Sequence, residues 1–270
     1  MKFAICNETY PDWPFERVCA DAAECGYDGV EVALSAIVDD PSTLSTDDAR
    51  DLGAVARRAG IDIVGLHWLL KAPPGLHLMT PTTRVRHATV SYLEHLARLC
   101  AAMGGSVIVL GSPKQRDVAA EDTYDAAFAR AVESCRQVAE TAAALDVTLA
   151  LEPLAPTYTN FLTTAAEAVR LIEAVDHPGC RLHLDVFAMS SEREPIPDII
   201  RAHGPHLAHF HANDTSLGGP GTGDVDYPPI AEALRAVDYR GWVSVEVFDM
   251  TPGGPAIARD SLAFLRSLFP

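Results

Sequence analysis

The segment His206-Leu-Ala-His-Phe-His-Ala-Asn-Asp-Thr215 begins as an alternating, strand-like run and passes into a loop closed by Gly218-Gly-Pro-Gly-Thr-Gly223. Residues two apart share one face of a strand, so His209 and His211 are predicted to point the same way. Three other apolar runs end in an acid: Leu149-Ala-Leu-Glu152, Leu182-His-Leu-Asp185 and Val243-Ser-Val-Glu246. Two glutamates, one aspartate and one histidine at strand ends form a donor set suited to a divalent cation.

Short β-rich runs alternate with helical patterns along the whole chain. The predicted strands cover residues 2–6, 29–32, 62–67, 106–110, 147–152, 181–185, 207–211 and 242–247. The predicted helices include 14–25, 45–59, 81–103, 120–145, 228–237 and 255–268, and Thr163-Thr-Ala-Ala-Glu167 has the spacing of a Thr-x-x-Glu capping box. Eight such units in about 250 residues are typical of a (β/α)8 TIM barrel. Since no linker or composition break divides the chain, we predict one domain spanning residues 1–270.

The alternative architecture is a doubly wound open sheet. That fold normally carries a Gly-rich phosphate-binding turn after its first strand. Here the residues after the first strand, Asn7-Glu-Thr-Tyr-Pro11, contain no glycine. A barrel gathers the carboxyl ends of all its strands on one face, so it also predicts that Glu152, Asp185, His211 and Glu246 meet there.

Composition excludes several classes of partner. The chain has 270 residues, a net charge of −16 and a pI near 4.9. Such a surface repels a phosphate backbone, so nucleic acid is not an expected partner. No apolar run is long enough to span a bilayer, and the amino terminus lacks the apolar region of a signal peptide. We therefore expect a cytoplasmic protein without a membrane role.

Several short motifs resemble one enzyme family, the sugar isomerases and epimerases built on the xylose isomerase-type TIM barrel. More narrowly, the chain is similar to ketose 3-epimerases, hydroxypyruvate isomerases and inosose dehydratases. The motifs that carry the resemblance are Leu151-Glu-Pro-Leu154, His183-Leu-Asp185, His209-Phe-His-Ala212, Gly221-Thr-Gly-Asp-Val-Asp-Tyr227 and Ser244-Val-Glu-Val247.

The resemblance implies one divalent metal ion held by Glu152, Asp185, His211 and Glu246. It implies Mn²⁺ first, with Mg²⁺, Co²⁺ or Zn²⁺ as alternatives, and a small sugar or polyol-derived substrate. Glu152 and Glu246 would also exchange protons with that substrate. Relatives often form dimers or tetramers, but the sequence carries no interface signature.

The expected reaction is isomerisation or epimerisation through an enediolate. Removal of a proton from carbon beside a carbonyl needs a base at the C–H bond and an electrophile at the oxygen. Loss of a β-hydroxyl would instead make the enzyme a lyase acting on a keto-inositol or keto-sugar. A barrel that binds sugars without turnover is the alternative from another functional class.

Three positions depart from the pattern of the ketose 3-epimerases. Ala188 stands where the family usually has a histidine, Tyr158 where a glutamate is frequent, and Leu217 where an arginine grips substrate oxygens. The sequence therefore does not predict which sugar is bound.

Seven further residues are candidates for substrate binding. Strand ends supply some of them, the loop after the fourth strand supplies two cations, and tryptophans offer an aromatic wall for a sugar face. The alternative for the histidines is a buried hydrogen-bond network, and for the loop cations a solvated charge. The candidates are His67, Glu31, His183, Lys114, Arg116, Trp13 and Trp68.

Overall fold

Eight parallel strands close into a barrel in the computed structural model, which describes residues 1–269. Each strand pairs with its neighbours in chain order, and β1 pairs with β8 to complete the ring. This confirms the predicted (β/α)8 barrel. The strands are β1 (Lys2–Cys6), β2 (Gly29–Val32), β3 (Asp62–Leu66), β4 (Val107–Leu110), β5 (Thr148–Leu151), β6 (Cys180–Asp185), β7 (Leu207–Ala212) and β8 (Trp242–Val245).

Helices surround this barrel and connect its strands. They are α1 (Phe15–Cys25), α2 (Thr46–Ala59), α3 (Thr83–Met103), α4 (Tyr124–Ala143), α5 (Ala165–Val175), α6 (Val186–Met189), α7 (Ile196–His203), α8 (Tyr227–Ala236) and α9 (Gly254–Leu268). Within residues 1–269, none of them combines the length and apolar composition that crossing a membrane requires.

The buried apolar residues form two separate clusters. The larger one fills the layer between strands and helices. The smaller one consists of short side chains on β1, β3, β4 and β5, namely Ala4, Val64, Val107, Val109 and Ala150. Side chains two apart share one face of a strand, so Ala150 lies on the same face as Glu152, and the small cluster lies inside the barrel below the polar strand ends.

Two of the strands that carry the predicted acids, β5 and β8, end slightly earlier than the sequence predicts, whereas β6 ends at Asp185 as predicted. Glu152 and Glu246 each lie just beyond their strand, although Glu152 N still donates to Leu110 O (3.3 Å) and Glu246 N to Ala212 O (3.4 Å). His67 likewise follows β3. Each of these three residues therefore lies immediately beyond the regular part of its strand, at the carboxyl end of the barrel.

Helix starts follow local hydrogen bonding. Ser45 caps α2 in a reciprocal capping box with Asp48. At α5 the predicted box is only half formed, because Thr164 accepts from Glu167 N while the Glu167 carboxylate accepts from Thr163 N instead of the cap residue. The α4 helix begins at Tyr124, later than predicted, because Thr123 provides its N-cap.

Candidate metal centre

The carboxyl ends of β5 to β8 bring four buried side chains together. Glu152 follows β5, Asp185 ends β6, His211 belongs to β7 and Glu246 follows β8. One donor atom of each lies within 4.8 Å of the donor atoms of the others. Register explains part of this, because Asp185 pairs directly with His211 across β6 and β7. The four strand ends that the sequence singles out therefore converge on one point.

Both carboxylate oxygens of Glu246 are held in place. Oε1 accepts from Trp68 Nε1 at 3.0 Å and lies 3.2 Å from His67 Nδ1. Oε2 lies 3.1 Å from His211 Nδ1. Three rings thus fix the orientation of this carboxylate before any ligand arrives.

The His211 ring is anchored from below by a carboxylate. Its Nε2 lies 3.1 Å from both carboxylate oxygens of Glu31, and Glu31 Oε2 also lies 2.7 Å from His209 Nε2. When His211 donates through Nε2, a neutral ring presents the lone pair of Nδ1 to Glu246. Two acceptors that face each other at 3.1 Å need a proton or a cation beside them.

Asp185 is fixed by the backbone and by one residue that the sequence reasoning missed. Its Oδ1 accepts from Ala188 N at 2.7 Å, and its Oδ2 accepts from Asn213 Nδ2 at 2.5 Å. The side-chain oxygen of Asn213 accepts from Phe187 N at 2.8 Å. The only signal in the sequence was the position of Asn213 two residues beyond His211, on the same side of the chain.

Glu152 is held mainly by close packing. A Cβ at Gly111 would lie 1.6 Å from Glu152 Oε2, so glycine is required for the carboxylate to occupy this position. Arg116 donates to the backbone oxygen of Glu152 at 2.6 Å. The nearest histidine nitrogen, His183 Nε2, lies 3.8 Å from Glu152 Oε1. The Glu152 carboxylate therefore has fewer fixed partners than Glu246.

A second missed residue, Glu8, extends the network below Glu246. Glu8 follows β1 and is buried, and its Oε2 lies 2.9 Å from His67 Nε2. His67 consequently bridges two carboxylates. Burial disfavours charge on this ring, but Glu8 and Glu246 together raise the pKa of His67 well above its usual value. Nothing in the sequence ties Glu8 to His67, because they lie on different strands.

The surroundings raise the pKa values of Glu152, Asp185 and His211 and lower that of Glu246. Burial and the negative charges of Glu246 and Asp185 raise the pKa of Glu152, and burial with Glu246 raises that of Asp185. Burial also opposes ionisation of Glu246, but His211 and His67 lower its pKa below the ordinary glutamate range. Burial disfavours the charged form of His211, yet Glu31 and Glu246 raise its pKa well above normal.

This donor set fits a divalent cation. Three carboxylates and one imidazole are buried within 4.8 Å of one another, where like charges repel strongly unless a positive charge is shared among them. Oxygen and imidazole donors match the preferences of Mn²⁺, Mg²⁺, Co²⁺ and Zn²⁺, and do not distinguish among them.

A cavity of about 430 Å³ opens directly above these donors. Glu152, Asp185 and Glu246 contribute to its floor. Its walls come from the loops that follow β3 to β8, and they include Trp68, Lys71, Ser112, Gln115, Phe187 and Phe248. The site is therefore open to a small molecule from the carboxyl end of the barrel.

Of the predicted substrate-binding residues, the structure places Trp68 in the wall of this cavity. Glu31, His67 and His183 are fully buried under the donors, within the hydrogen-bond network or next to it. Neither ring nitrogen of His183 has a hydrogen-bond partner among residues 1–269. Glu31 and His67 instead contact the donors themselves, Glu31 at His211 and His67 at Glu246.

The remaining three candidates do not line the central cavity. Arg116 is buried and binds backbone oxygens rather than facing the cavity. Lys114 is exposed and donates to Tyr158 O at 3.1 Å. Trp13 stacks under the guanidinium of Arg17 and lines a neighbouring cavity, which shares Trp68 with the central one.

Comparison with known proteins agrees with this architecture. Residues 19–268 match the family described as xylose isomerase-like TIM barrel. A probable ketose 3-epimerase of Synechocystis sp. is 28% identical over 272 residues, which cover 94% of this chain and 91% of that protein. An L-ribulose 3-epimerase of Methylomonas sp. is 27% identical over 261 residues, which cover 94% of this chain and 85% of that protein.

A solved structure extends the similarity to three dimensions. The crystal structure of a D-psicose 3-epimerase in the presence of D-fructose superposes with a TM-score of 0.85 at 26% identity, and covers 99% of both chains. The family match includes the four strand ends that carry the donor set. The chain belongs to the xylose isomerase-like TIM barrel family.

Proposed function

We propose that this protein is a metal-dependent isomerase or epimerase that acts on a keto sugar. The observation that carries the proposal is the convergence of Glu152, Asp185, His211 and Glu246 at the floor of an open cavity. The similarity to ketose 3-epimerases supports the same class of reaction.

These four residues would hold one divalent ion, for which we propose Mn²⁺. When bound, the ion would polarise the substrate carbonyl and offset the negative charge that develops on its oxygen. His211 would bind through Nδ1, because Glu31 occupies its Nε2. Glu31 and Asn213 would keep His211 and Asp185 in position, as outer partners do at metal sites generally.

Proton transfer would fall to the two glutamates. Glu152 and Glu246 follow β5 and β8, the outer two of the four strands, so they approach a bound substrate from opposite sides. One carboxylate would remove the proton beside the carbonyl, and the other would return a proton to the opposite face. The two roles exchange in the reverse direction. Trp68 and His67 would hold Glu246 in the orientation needed for this transfer.

Proton exchange with solvent tests the proposal. Protein loaded with Mn²⁺ is incubated in D₂O with ketoses and keto-inositols, and the products are followed by NMR and mass spectrometry. Deuterium uptake without loss of water is expected. An unsaturated product would instead indicate a lyase, and no exchange with any substrate would indicate a binding protein without turnover.

Glu152→Gln and Glu246→Gln each test the role of one carboxylate. Either change should slow deuterium uptake by about 10²–10⁴-fold, the usual contribution of a general acid or base. The matched control is Glu16→Gln on the exposed side of α1. If Glu246→Gln exchanges deuterium as fast as the control, Glu246 is not an acid/base group and the proposed mechanism is wrong.

A further inference from the structure

The mouth of the central cavity is unusually apolar. Among residues 1–269, the large hydrophobic side chains that are exposed are Tyr158 (43%), Leu217 (37%) and Phe248 (43%), and all of them line this cavity. Scattered exposed hydrophobic residues carry no meaning, but their concentration around one opening marks a binding surface.

We call the surface formed by Leu154, Tyr158, Phe187, Leu217 and Phe248 the apolar wall. Three of these residues follow the same strand ends as the donor set. The residue two positions after each acid is apolar and lines the cavity: Leu154 after Glu152, Phe187 after Asp185 and Phe248 after Glu246. The ring of Phe187 lies 6.2 Å from that of Tyr158 and 6.1 Å from that of Phe248. A continuous aromatic surface therefore rises directly from the acids.

Leu217 is held over the cavity at a cost in backbone conformation. Its φ is +67°, a left-handed value that leucine rarely adopts. Its carbonyl oxygen accepts from Phe248 N and Asp249 N, each at 2.8 Å. The two bonds tie the loop after β7 to the loop after β8. Residues that are held by hydrogen bonds in an unfavourable backbone conformation are frequent at ligand-binding sites.

Across the barrel from Leu217 and Phe248, the cavity has polar groups beside Trp68 and Pro113. Lys71, Ser112 and Gln115 line it from the loops after β3 and β4. The ammonium of Lys71 lies 3.8 Å from the centre of the Trp68 ring. The cavity is thus divided into a side that can bind hydroxyl groups and a side that can bind apolar surface.

From this division we propose that the substrate is a keto sugar carrying an apolar, flat substituent, such as an aryl group in glycosidic linkage. The sugar would lie on the acids and the polar side, and the substituent would stack on Tyr158, Phe187 and Phe248. The volume of about 430 Å³ falls in the range that accommodates ligands of drug size. This inference rests on the proposed function, since it names the substrate of the same site.

A substituent of the substrate explains the wall better than a second copy of the chain. The wall continues without a break down to Glu152 and Asp185, so whatever covers its lower part must also enter the cavity. Ala188 lines the same cavity and adds apolar surface to it, without offering a hydrogen bond to hydroxyl groups.

The test compares substrates that differ only in the substituent. Deuterium exchange is measured for the phenyl and methyl glycosides of one 3-keto-hexose, and for D-fructose, with the Mn²⁺-loaded protein. We expect kcat/KM for the phenyl compound to exceed that for the methyl compound by about tenfold or more. A ratio near one, or a preference for D-fructose, would overturn the inference while the proposed function stands.

Substitutions in the apolar wall test whether it causes the preference for the phenyl compound. Phe248→Ala and Tyr158→Ala should each lower the phenyl-to-methyl ratio by about fivefold or more, because each removes one stacking surface. The control is Phe269→Ala at the other end of the barrel, against Phe3. Ratios that stay unchanged in both wall variants would overturn the proposal.

Two further readouts separate the remaining outcomes. Calorimetric binding of phenyl and methyl β-D-glucopyranoside needs no turnover, and tighter binding of the phenyl compound supports the part of the inference that assigns the substituent to the wall, even if no compound exchanges deuterium. In that case the proposed function alone would fail. Light scattering gives the oligomeric state; if Phe248→Asp dissociates an oligomer and leaves the phenyl preference intact, the wall is a subunit interface and the inference is wrong.

Discussion

At the scale of single residues, the site depends on one glycine beside Glu152. Gly111→Ala would place a methyl group 1.6 Å from the present position of Glu152 Oε2, so the carboxylate must move. We expect Mn²⁺ affinity to fall by about 10–100-fold, as when an outer partner of a metal ligand is lost. Calorimetric titration measures the change.

Gly60→Ala serves as the control for this change. Gly60 adopts φ +79° with open space around it, so alanine there costs only backbone strain, far from the donors. If Gly60→Ala weakens Mn²⁺ binding as much as Gly111→Ala, general destabilisation explains both and the argument for close packing is wrong.

Glu8 gives a second prediction at this scale. Glu8→Gln keeps a hydrogen-bond acceptor for His67 but removes the negative charge that raises the pKa of that ring. We expect the orientation of Glu246 to loosen and deuterium exchange to slow by about tenfold, while Mn²⁺ still binds. Exchange rates and metal content are measured together, and rates equal to those of Glu16→Gln would contradict the role.

At the scale of elements, the loop after β7 is organised by one buried carboxylate. Asp214 Oδ1 accepts from Thr215 N at 2.8 Å and from Val225 N at 3.3 Å, and Oδ2 accepts from Gly221 N at 3.1 Å. Asp214→Asn should destabilise the protein by about 1–3 kcal/mol, because one amide cannot satisfy all three donors.

Hydrogen exchange measures the consequence. Amide protection in the loop 215–225 should fall in Asp214→Asn, while protection in β1 to β6 stays close to that of the parent protein. Asp224→Asn, an exposed carboxylate in the same loop, is the control. Equal loss of protection in both variants would show that Asp214 has no special role in the loop.

Strand periodicity in the sequence predicted the strands and the side of each strand on which the four donors lie. Alternation of side chains placed Glu152, Asp185, His211 and Glu246 on one face, and barrel closure brought them together. Contacts between distant strands, such as Glu8 with His67, depend on the barrel twist and leave no local signal. The orientation of Arg116 was not predictable from the sequence either. A cation in the loop after a strand is expected to be exposed, and only the structure shows that Arg116 donates to the backbone oxygen of Glu152.

At the scale of the whole molecule, stability should depend on pH in opposite ways with and without metal. The raised pKa of Glu152 means that the folded protein holds a proton that the unfolded chain has released, and the raised pKa values of His67 and His211 act in the same direction. Metal-free protein should therefore lose stability as pH rises from about 6.5 to 9.

Added Mn²⁺ should reverse this trend. Bound metal replaces the protons, so the stabilisation by Mn²⁺ grows as pH rises through the same range. Below about pH 6.5 the lowered pKa of His183 works against the folded state in both forms, which is why the comparison starts there. Thermal unfolding with EDTA and with Mn²⁺ gives both curves, and a Mn²⁺ effect that is independent of pH would contradict the account.

The central claim is that the four strand ends form one metal site. Titration of metal-free protein with Mn²⁺, followed by calorimetry, tests it most directly. We predict one ion per chain in the parent protein, and a loss of affinity of about 100-fold or more in Asp185→Asn, which keeps the shape but removes a charged donor. No Mn²⁺ binding by the parent protein, or equal binding by Asp185→Asn, would contradict the claim.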